Sequence, residues 1–180
     1  MGVSGGGKST IGTLLAHRLG WPFLDADDLH PADNVAKMQR GVPLTDSDRW
    51  PWLEKVAAWI AEHWEAGLPG VVGCSALKRS YRDVLRQADP DLRVVYLRGD
   101  REILIERLAH RHGHFFPRQL LDAQLADLEE PTPEEHAKVV PIGQSPERTT
   151  DAIVTALGIP SGTRGDRAVH LNDRGDALLD

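Results

Sequence analysis

Near the amino end of the 180-residue chain, Gly2, Gly7, Lys8 and Ser9 fit the spacing G-x-x-x-x-G-K-[ST] within "MGVSGGGKST". That spacing describes a phosphate-binding loop. Glycines let backbone N–H groups turn inward around phosphate oxygens, and a helix starting near Ser9 would aim its positive end at the same oxygens. In this reading Gly2, Val3, Ser4, Gly5, Gly6, Gly7, Lys8, Ser9 and Thr10 cradle a nucleotide. Lys8 is the catalytic cation on the terminal phosphates, and the Ser9 hydroxyl ligates Mg2+. The loop by itself fits a kinase, a GTPase or a molecular machine.

Two carboxylates in "FLDADDLHP" narrow the class. Asp25 and Asp27 stand two apart at the carboxyl end of a predicted strand, the edge where ligands bind in open α/β sheets. A kinase that acts on a hydroxyl needs a carboxylate to orient it and accept its proton, and an ordinary Asp is ionised at neutral pH. Asp27 is the candidate for that role. Asp25 is better placed to hold Mg2+ through water, and Asp28 reads as a cap of the following turn.

Short β-branched runs alternate with helical stretches, which predicts βα units and a parallel sheet. Ile11, Leu14, Leu15 and Leu19 share one face of a helix over 9–19, stopped by Gly20. "WPFLD" is a strand ending at Asp25, and "DNVAKMQRG" a brief helix. A long helix follows, with Asp48 as N-cap, Pro51 in its first turn, and Leu53, Val56, Ala57, Ile60 and Trp64 forming its stripe. "GVVGCS" and "LRVVYLRG" are strands. The first leads into the helix "KRSYRDVLRQA", the second into one capped by Asp100 that runs toward Arg111. "RQLLDAQLADLEE" is helical, and "KVVPI" is a last strand whose Pro141 places it at an edge or a strand end. Ser145 and Pro146 open a final helix to Leu157.

Residues 1–158 thus form one domain, with a lid at about 110–130, and 159–180 read as a loose polar tail. A loop of this kind hangs from the end of a buried central strand, yet only Met1 precedes Gly2. Losing that strand is a cost a domain with ~5–15 kcal/mol of net stability could hardly absorb. The expectation is that the natural protein starts upstream and that Met1 is a misassigned or truncated start.

Composition sets outer limits. With 41% hydrophobic and 27% charged residues the chain is ordinary for a globular protein. Its one cysteine, Cys74, leaves no disulfide framework, suits a cytoplasmic location, and is expected to be a buried strand residue. No apolar run approaches the ~20 residues of a membrane span, so no membrane is expected as partner. The net charge of −6 argues against nucleic acid, whereas a small polyanion needs only a locally basic site. His110, His112 and His114 alternate, but without acidic or cysteine companions zinc is disfavoured.

Behind the loop, "DLHPADNVAKM", "PLTDSDRWPWL", "CSALKRSYRDVLR", "GHFF" and "DLEEP" follow in order. In these motifs, across residues 2 to about 157, the chain resembles the small gluconokinases, relatives of shikimate kinase and the nucleoside monophosphate kinases. The resemblance implies an α/β P-loop kinase fold, a three-layer sandwich with a five-stranded parallel sheet whose first strand is missing or truncated here. It also implies a mobile lid and, commonly, a homodimer. The implied reaction is ATP-dependent phosphorylation of the 6-hydroxyl of D-gluconate to 6-phosphogluconate.

Gluconate carries a carboxylate and a row of hydroxyls, so its pocket needs cationic donors and polar acceptors. Arg49 is the candidate carboxylate anchor because its fork binds bidentately. Lys78 and Arg82, four apart, are further donors, and His30 and Asp46 are candidates for hydroxyl contacts. By resemblance, Arg107 packs against adenine, Arg111 meets the transferred phosphate when the lid closes, and His114 belongs to the lid and the substrate pocket. A lid keeps water from taking the phosphoryl group. Ser75 stands at a strand end facing the γ-phosphate or the acceptor, and Trp50, Trp52, Trp59 and Trp64 read as core or dimer contacts. Gly6 stands where the family usually has Ser, and Gly143 where a polar or acidic residue is expected near the adenine loop. Two other readings stay open: a related kinase for another sugar acid or shikimate, and a noncatalytic nucleotide-binding protein, which would need neither Asp27 nor Arg49 nor a lid.

Overall fold

The structure, a computed structural model, describes residues 1–110 and 118–159, together with the backbone of 170–171 and 177–178. Its elements run α1 (Lys8–Leu19), β1 (Phe23–Asp25), α2 (Ala32–Gln39), α3 (Asp46–Glu65), β2 (Val71–Gly73), α4 (Arg79–Ala88), β3 (Val95–Arg98), α5 (Arg101–Ala109), α6 (Arg118–Asp127), β4 (Lys138–Pro141) and α7 (Pro146–Leu157). Short 3-10 turns at Ala26–Leu29 and Pro133–Glu135 lie between them. Every strand and helix expected from the hydrophobic pattern through Leu157 is present.

β1 runs parallel to β2, with Phe23 opposite Val71 and Asp25 opposite Gly73. β3 runs parallel to β4, with Val95 opposite Lys138 and Arg98 opposite Pro141. The first residues of the chain lie between the two pairs. The Gly2 N–H donates to the Ser75 carbonyl at 3.1 Å, and the Met1 carbonyl accepts from the Leu97 N–H at 3.0 Å. Residues 1 and 2 therefore occupy the central line of the sheet at its carboxyl edge, in spatial order β1, β2, residues 1–2, β3, β4. They are too few to be a strand, but they hang the phosphate loop where a central strand would. Toward the opposite edge lies a cavity of about 720 Å³, lined in part by Leu15, Trp59, Val71, Val95 and Leu157.

Two apolar cores hold the layers. Val3, Ile11, Leu15, Leu97, Leu104, Val140, Ile142, Ile153 and Val154 join α1, α5 and α7 to β3 and β4. Trp52, Leu53, Val56, Ile60, Tyr81 and Leu85 join α3 to α4 beside Cys74. Gly12 lets α1 lie close on β1, since a Cβ there would stand 2.4 Å from the Phe23 ring.

Several boundaries differ from expectation. α3 begins at Asp46 and its N-cap is Thr45, extended at φ −80°, ψ 168°; Asp48 is the third helical residue and completes a capping box. Pro51 consequently sits beyond the first turn. Asp100 stands at the N-cap position of α5, but its side chain makes no capping bond. α7 is as expected, with the Ser145 hydroxyl accepting the Arg148 N–H, Pro146 first in the helix, and Gly158 left-handed after it. Within the stretch expected to be a loose tail, β5 (His170–Leu171) pairs antiparallel with β6 (Ala177–Leu178). Among the described residues no helix is long and apolar enough to cross a membrane.

Candidate active site

The loop "GVSGGGKS" takes its shape from its glycines only where geometry requires them. Gly7 precedes α1 at φ 86°, a left-handed conformation that costs an ordinary L-residue ~1 kcal/mol or more. Gly2, at φ 137°, leaves no room for a side chain, because a Cβ would stand 2.9 Å from the Leu97 carbonyl oxygen. Lys8 Nζ folds back to donate to the Val3 carbonyl at 3.2 Å, across the loop it closes.

β1 delivers Asp25 to that loop. The Ser9 hydroxyl donates to Asp25 Oδ2, and Asp25 Oδ1 accepts the Asp27 N–H at 3.1 Å. The α1 hydroxyl and both β1-edge acids expected at the site are thus brought together. A hydroxyl and a carboxylate are hard oxygen donors that suit Mg2+. No group of three or more His, Cys, Asp or Glu poised to hold a metal occurs among the described residues.

The turn carrying Asp27 is tied to α3. Trp52, 1% exposed, donates its indole N–H to the Ala26 carbonyl at 2.6 Å and stacks on His30 with ring centroids 4.3 Å apart. Burial lowers the His30 pKa below its ordinary value; Asp27 opposes this and Arg49 reinforces it. Burial thus favours the neutral form of the ring.

Next to it lies a cluster of cations and acids. Arg49, buried, donates Nη1 to the Tyr81 hydroxyl at 3.1 Å and to Asp127 Oδ2 at 2.8 Å. Lys78 Nζ donates to Asp46 Oδ1 at 2.7 Å and stands 3.7 Å from Asp127 Oδ1. The Tyr81 hydroxyl donates to the same Asp46 oxygen at 2.5 Å. Both cations lie over the Tyr81 ring, 5.8 Å and 5.7 Å from its centroid. Hydrogen bonds from Lys78 and Tyr81 hold the Asp46 carboxyl below its ordinary pKa, and the bond to Asp46 raises that of Lys78.

Arg82 is a correction. It was expected beside Lys78 as a substrate donor, but its side chain is 1% exposed and all three guanidinium nitrogens are engaged. Nε and Nη2 donate to the Glu135 carboxylate at 2.6 Å and 2.8 Å, and Nη1 to the carbonyls of Ala76 and Leu77 at 3.1 Å and 2.9 Å. Arg82 thus positions the turn before Lys78, in which Ala76 is held at φ 43°.

On the nucleotide side, Arg107 donates to the Ile142 carbonyl, and its Nη1 stands 3.7 Å from the Cβ position of Gly7. It spans from the phosphate loop to the segment after β4, where the base was expected. A side chain at neighbouring Gly143 would meet nothing within 4 Å. Arg111 and His114 lie outside the described residues, as does His112. His110 lies within them, its Nδ1 2.8 Å from the Glu106 carbonyl. Cys74 is buried, and burial pushes its thiol up to about 11, which leaves it inert. Trp50 meets Tyr81 edge-on at 5.4 Å, Trp59 packs on His63, and Trp64 is 42% exposed.

Three polar residues of this neighbourhood were not anticipated: Tyr81, Asp127 and Gln124, whose Oε1 accepts the Ser4 N–H of the loop at 2.7 Å. Tyr81 and Asp127 sit inside the quoted "CSALKRSYRDVLR" and "DLEEP" contexts, but one aromatic and one acid among many carry no signal of their own.

A glycine-rich loop that opens onto a helix N-terminus, with an acid-lined strand edge beside it, suits the phosphates of a nucleotide. Fold and site define the class, a P-loop kinase. The sequence profile of the shikimate kinase family matches residues 4–157. The gluconokinase of Gluconobacter oxydans (strain 621H) is 51% identical over 135 residues, covering 75% of this chain and 76% of the relative. A probable gluconokinase of Mus musculus is 43% identical over 174 residues, covering 87% of this chain and 95% of the relative. The crystal structure of a gluconokinase from Sinorhizobium meliloti 1021 matches with a TM-score of 0.81 at 45% identity, covering 88% of this chain and 89% of that one. The chain belongs to the shikimate kinase family, and within it to the gluconokinases.

Proposed function

We propose that the protein transfers the γ-phosphoryl group of ATP to the 6-hydroxyl of D-gluconate, yielding 6-phosphogluconate and ADP. The observation that carries this reading is the bond from Trp52 to the Ala26 carbonyl, which ties the Asp27 turn to α3, the helix that brings Arg49 to Lys78 and their shared acids, while Asp25 joins the same turn to the phosphate loop. An acid at one end and two cations at the other suit an acceptor that has a hydroxyl to deprotonate and a carboxylate to hold. The gluconokinases it resembles support the choice of acid.

In the proposed step Asp27 orients the 6-hydroxyl and takes its proton as O6 bonds to the γ-phosphorus, and the bond from that phosphorus to the β-bridging oxygen breaks. Lys8 leaves its resting bond to Val3 for the terminal phosphates, and the loop N–H groups receive the charge left on ADP. Arg49 is assigned to the sugar carboxylate, Lys78, Asp46 and His30 to the polyol, and Arg107 to the base; Arg111 and His114, outside the described residues, keep by resemblance their roles at the transferred group and the substrate. Ser9 and, through water, Asp25 would hold Mg2+, which supplies charge neutralisation at the phosphates when bound. The proposed setting is a cytoplasmic homodimer, and sedimentation at micromolar concentration tests its assembly.

A coupled ADP-release assay against a panel of sugar acids, with shikimate included, tests the substrate. Gluconate is expected to give the highest kcat/KM. A higher value for shikimate or another acid would move the assignment to that substrate. A folded, ATP-binding protein with no turnover on any of them would leave a nucleotide-binding role.

A further inference from the structure

One helix lays a side chain on each half of the site. On α6, Gln124 accepts the Ser4 N–H of the phosphate loop at 2.7 Å. Asp127, three residues on and so on the same helical face, accepts Arg49 Nη1 at 2.8 Å and stands 3.7 Å from Lys78 Nζ. We propose that Asp127 is a specificity-determining residue: it occupies the cationic pair as an internal carboxylate, and the carboxylate of the acceptor binds by displacing it. This rests on the reading of Arg49 as the substrate anchor.

The charge balance leads there. Arg49 and Lys78 contribute two positive charges, Asp46 and Asp127 two negative ones. Asp46 belongs to the first turn of α3 and is pinned by Lys78 and the Tyr81 hydroxyl. Asp127 is the last residue of α6, its side chain 30% exposed, and it reaches the cluster through the cations. A third carboxylate entering the filled cluster would set three negative charges against two positive within a few ångströms, which is unfavourable. Exchange for Asp127 keeps two against two. Arg49 is buried and braced by Tyr81, so the fork stays in place while its anionic partner changes. A neutral polyol offers no charge to replace Asp127, so the exchange discriminates against it, at some expense of affinity for the acid.

The test is Asp127→Asn, which keeps the shape and removes the charge. The KM for gluconate is expected to fall roughly two- to fivefold, the scale of a partly exposed ion pair. The KM for ATP is expected to stay unchanged. An unchanged gluconate KM overturns the inference, and a raised one shows that Asp127 orients Arg49 instead of competing for it. Asp127→Ser is the second variant should the amide perturb folding. Arg49→Gln separates the two layers of argument, with Lys78→Gln as backup and folding checked by circular dichroism. If neither raises the gluconate KM, the anchor reading fails. If they raise it while Asp127→Asn does not lower it, only the exchange fails.

Discussion

Asp27 is held by backbone, which leaves its carboxylate available for an acceptor. Its N–H is tied to Asp25, and the carbonyl of Ala26 beside it to Trp52. If it is the base, Asp27→Asn lowers kcat by about 10²–10⁴-fold while nucleotide affinity is retained, as read by turnover and by titration with a fluorescent ATP analogue. Trp52→Phe would leave the Ala26 carbonyl buried without its partner. The expected loss is about 1–3 kcal/mol in chemical denaturation, with a fall in kcat as the Asp27 turn loosens. His30 adds a pH signature. Its folded pKa lies below the ordinary 6.5, so the stability contributed by its neutral form is present above pH 6.5 and is lost as pH falls through the folded value. His30→Asn should flatten that part of the stability profile, measured by denaturation from pH 7 downward.

At the scale of elements, two basic residues at the start of α4, Lys78 at its N-cap and Arg82 within it, have opposite fates. Lys78, before its first turn, faces the acidic cluster; Arg82 turns inward to Glu135 in the turn before β4. Their spacing is visible in the sequence, but which of them is solvated depends on an acid 53 residues away from Arg82. Local pattern carries no such information. The start of α3 is equally ambiguous in sequence, since Thr45 and Asp48 are both acceptable caps and the reciprocal bond decides between them. Arg82, chiefly through its hydrogen bonds, pulls the Glu135 carboxyl from 4.5 down to about 2. The corresponding stability is present above pH 4.5 and is lost as pH falls from there toward 2. Glu135→Gln leaves a buried guanidinium uncompensated and should cost about 3–5 kcal/mol, measured by urea unfolding at pH 7. Because Arg82 also holds the carbonyls of Ala76 and Leu77, the same variant is expected to raise the gluconate KM by loosening Lys78.

Across the whole molecule, what was legible was whatever one segment states by itself: the phosphate loop with α1 behind it, the Asp25–Asp27 strand edge, and the parallel α/β alternation. What was not legible arises where distant segments meet. Residues 1 and 2 link β2 to β3, Gln124 reaches Ser4, and Asp127 reaches Arg49, over separations no periodicity encodes. The same convergence makes the functional account testable as a unit, since loop, base turn and cation cluster must act on one acceptor at once. The most direct measurement is the phosphorus–proton correlation spectrum of the product formed from gluconate, ATP and Mg2+ with the wild-type protein. The expected product is a phosphomonoester whose phosphorus couples to the two protons on carbon 6. Phosphate on any other carbon, or inorganic phosphate as the sole product, would contradict it.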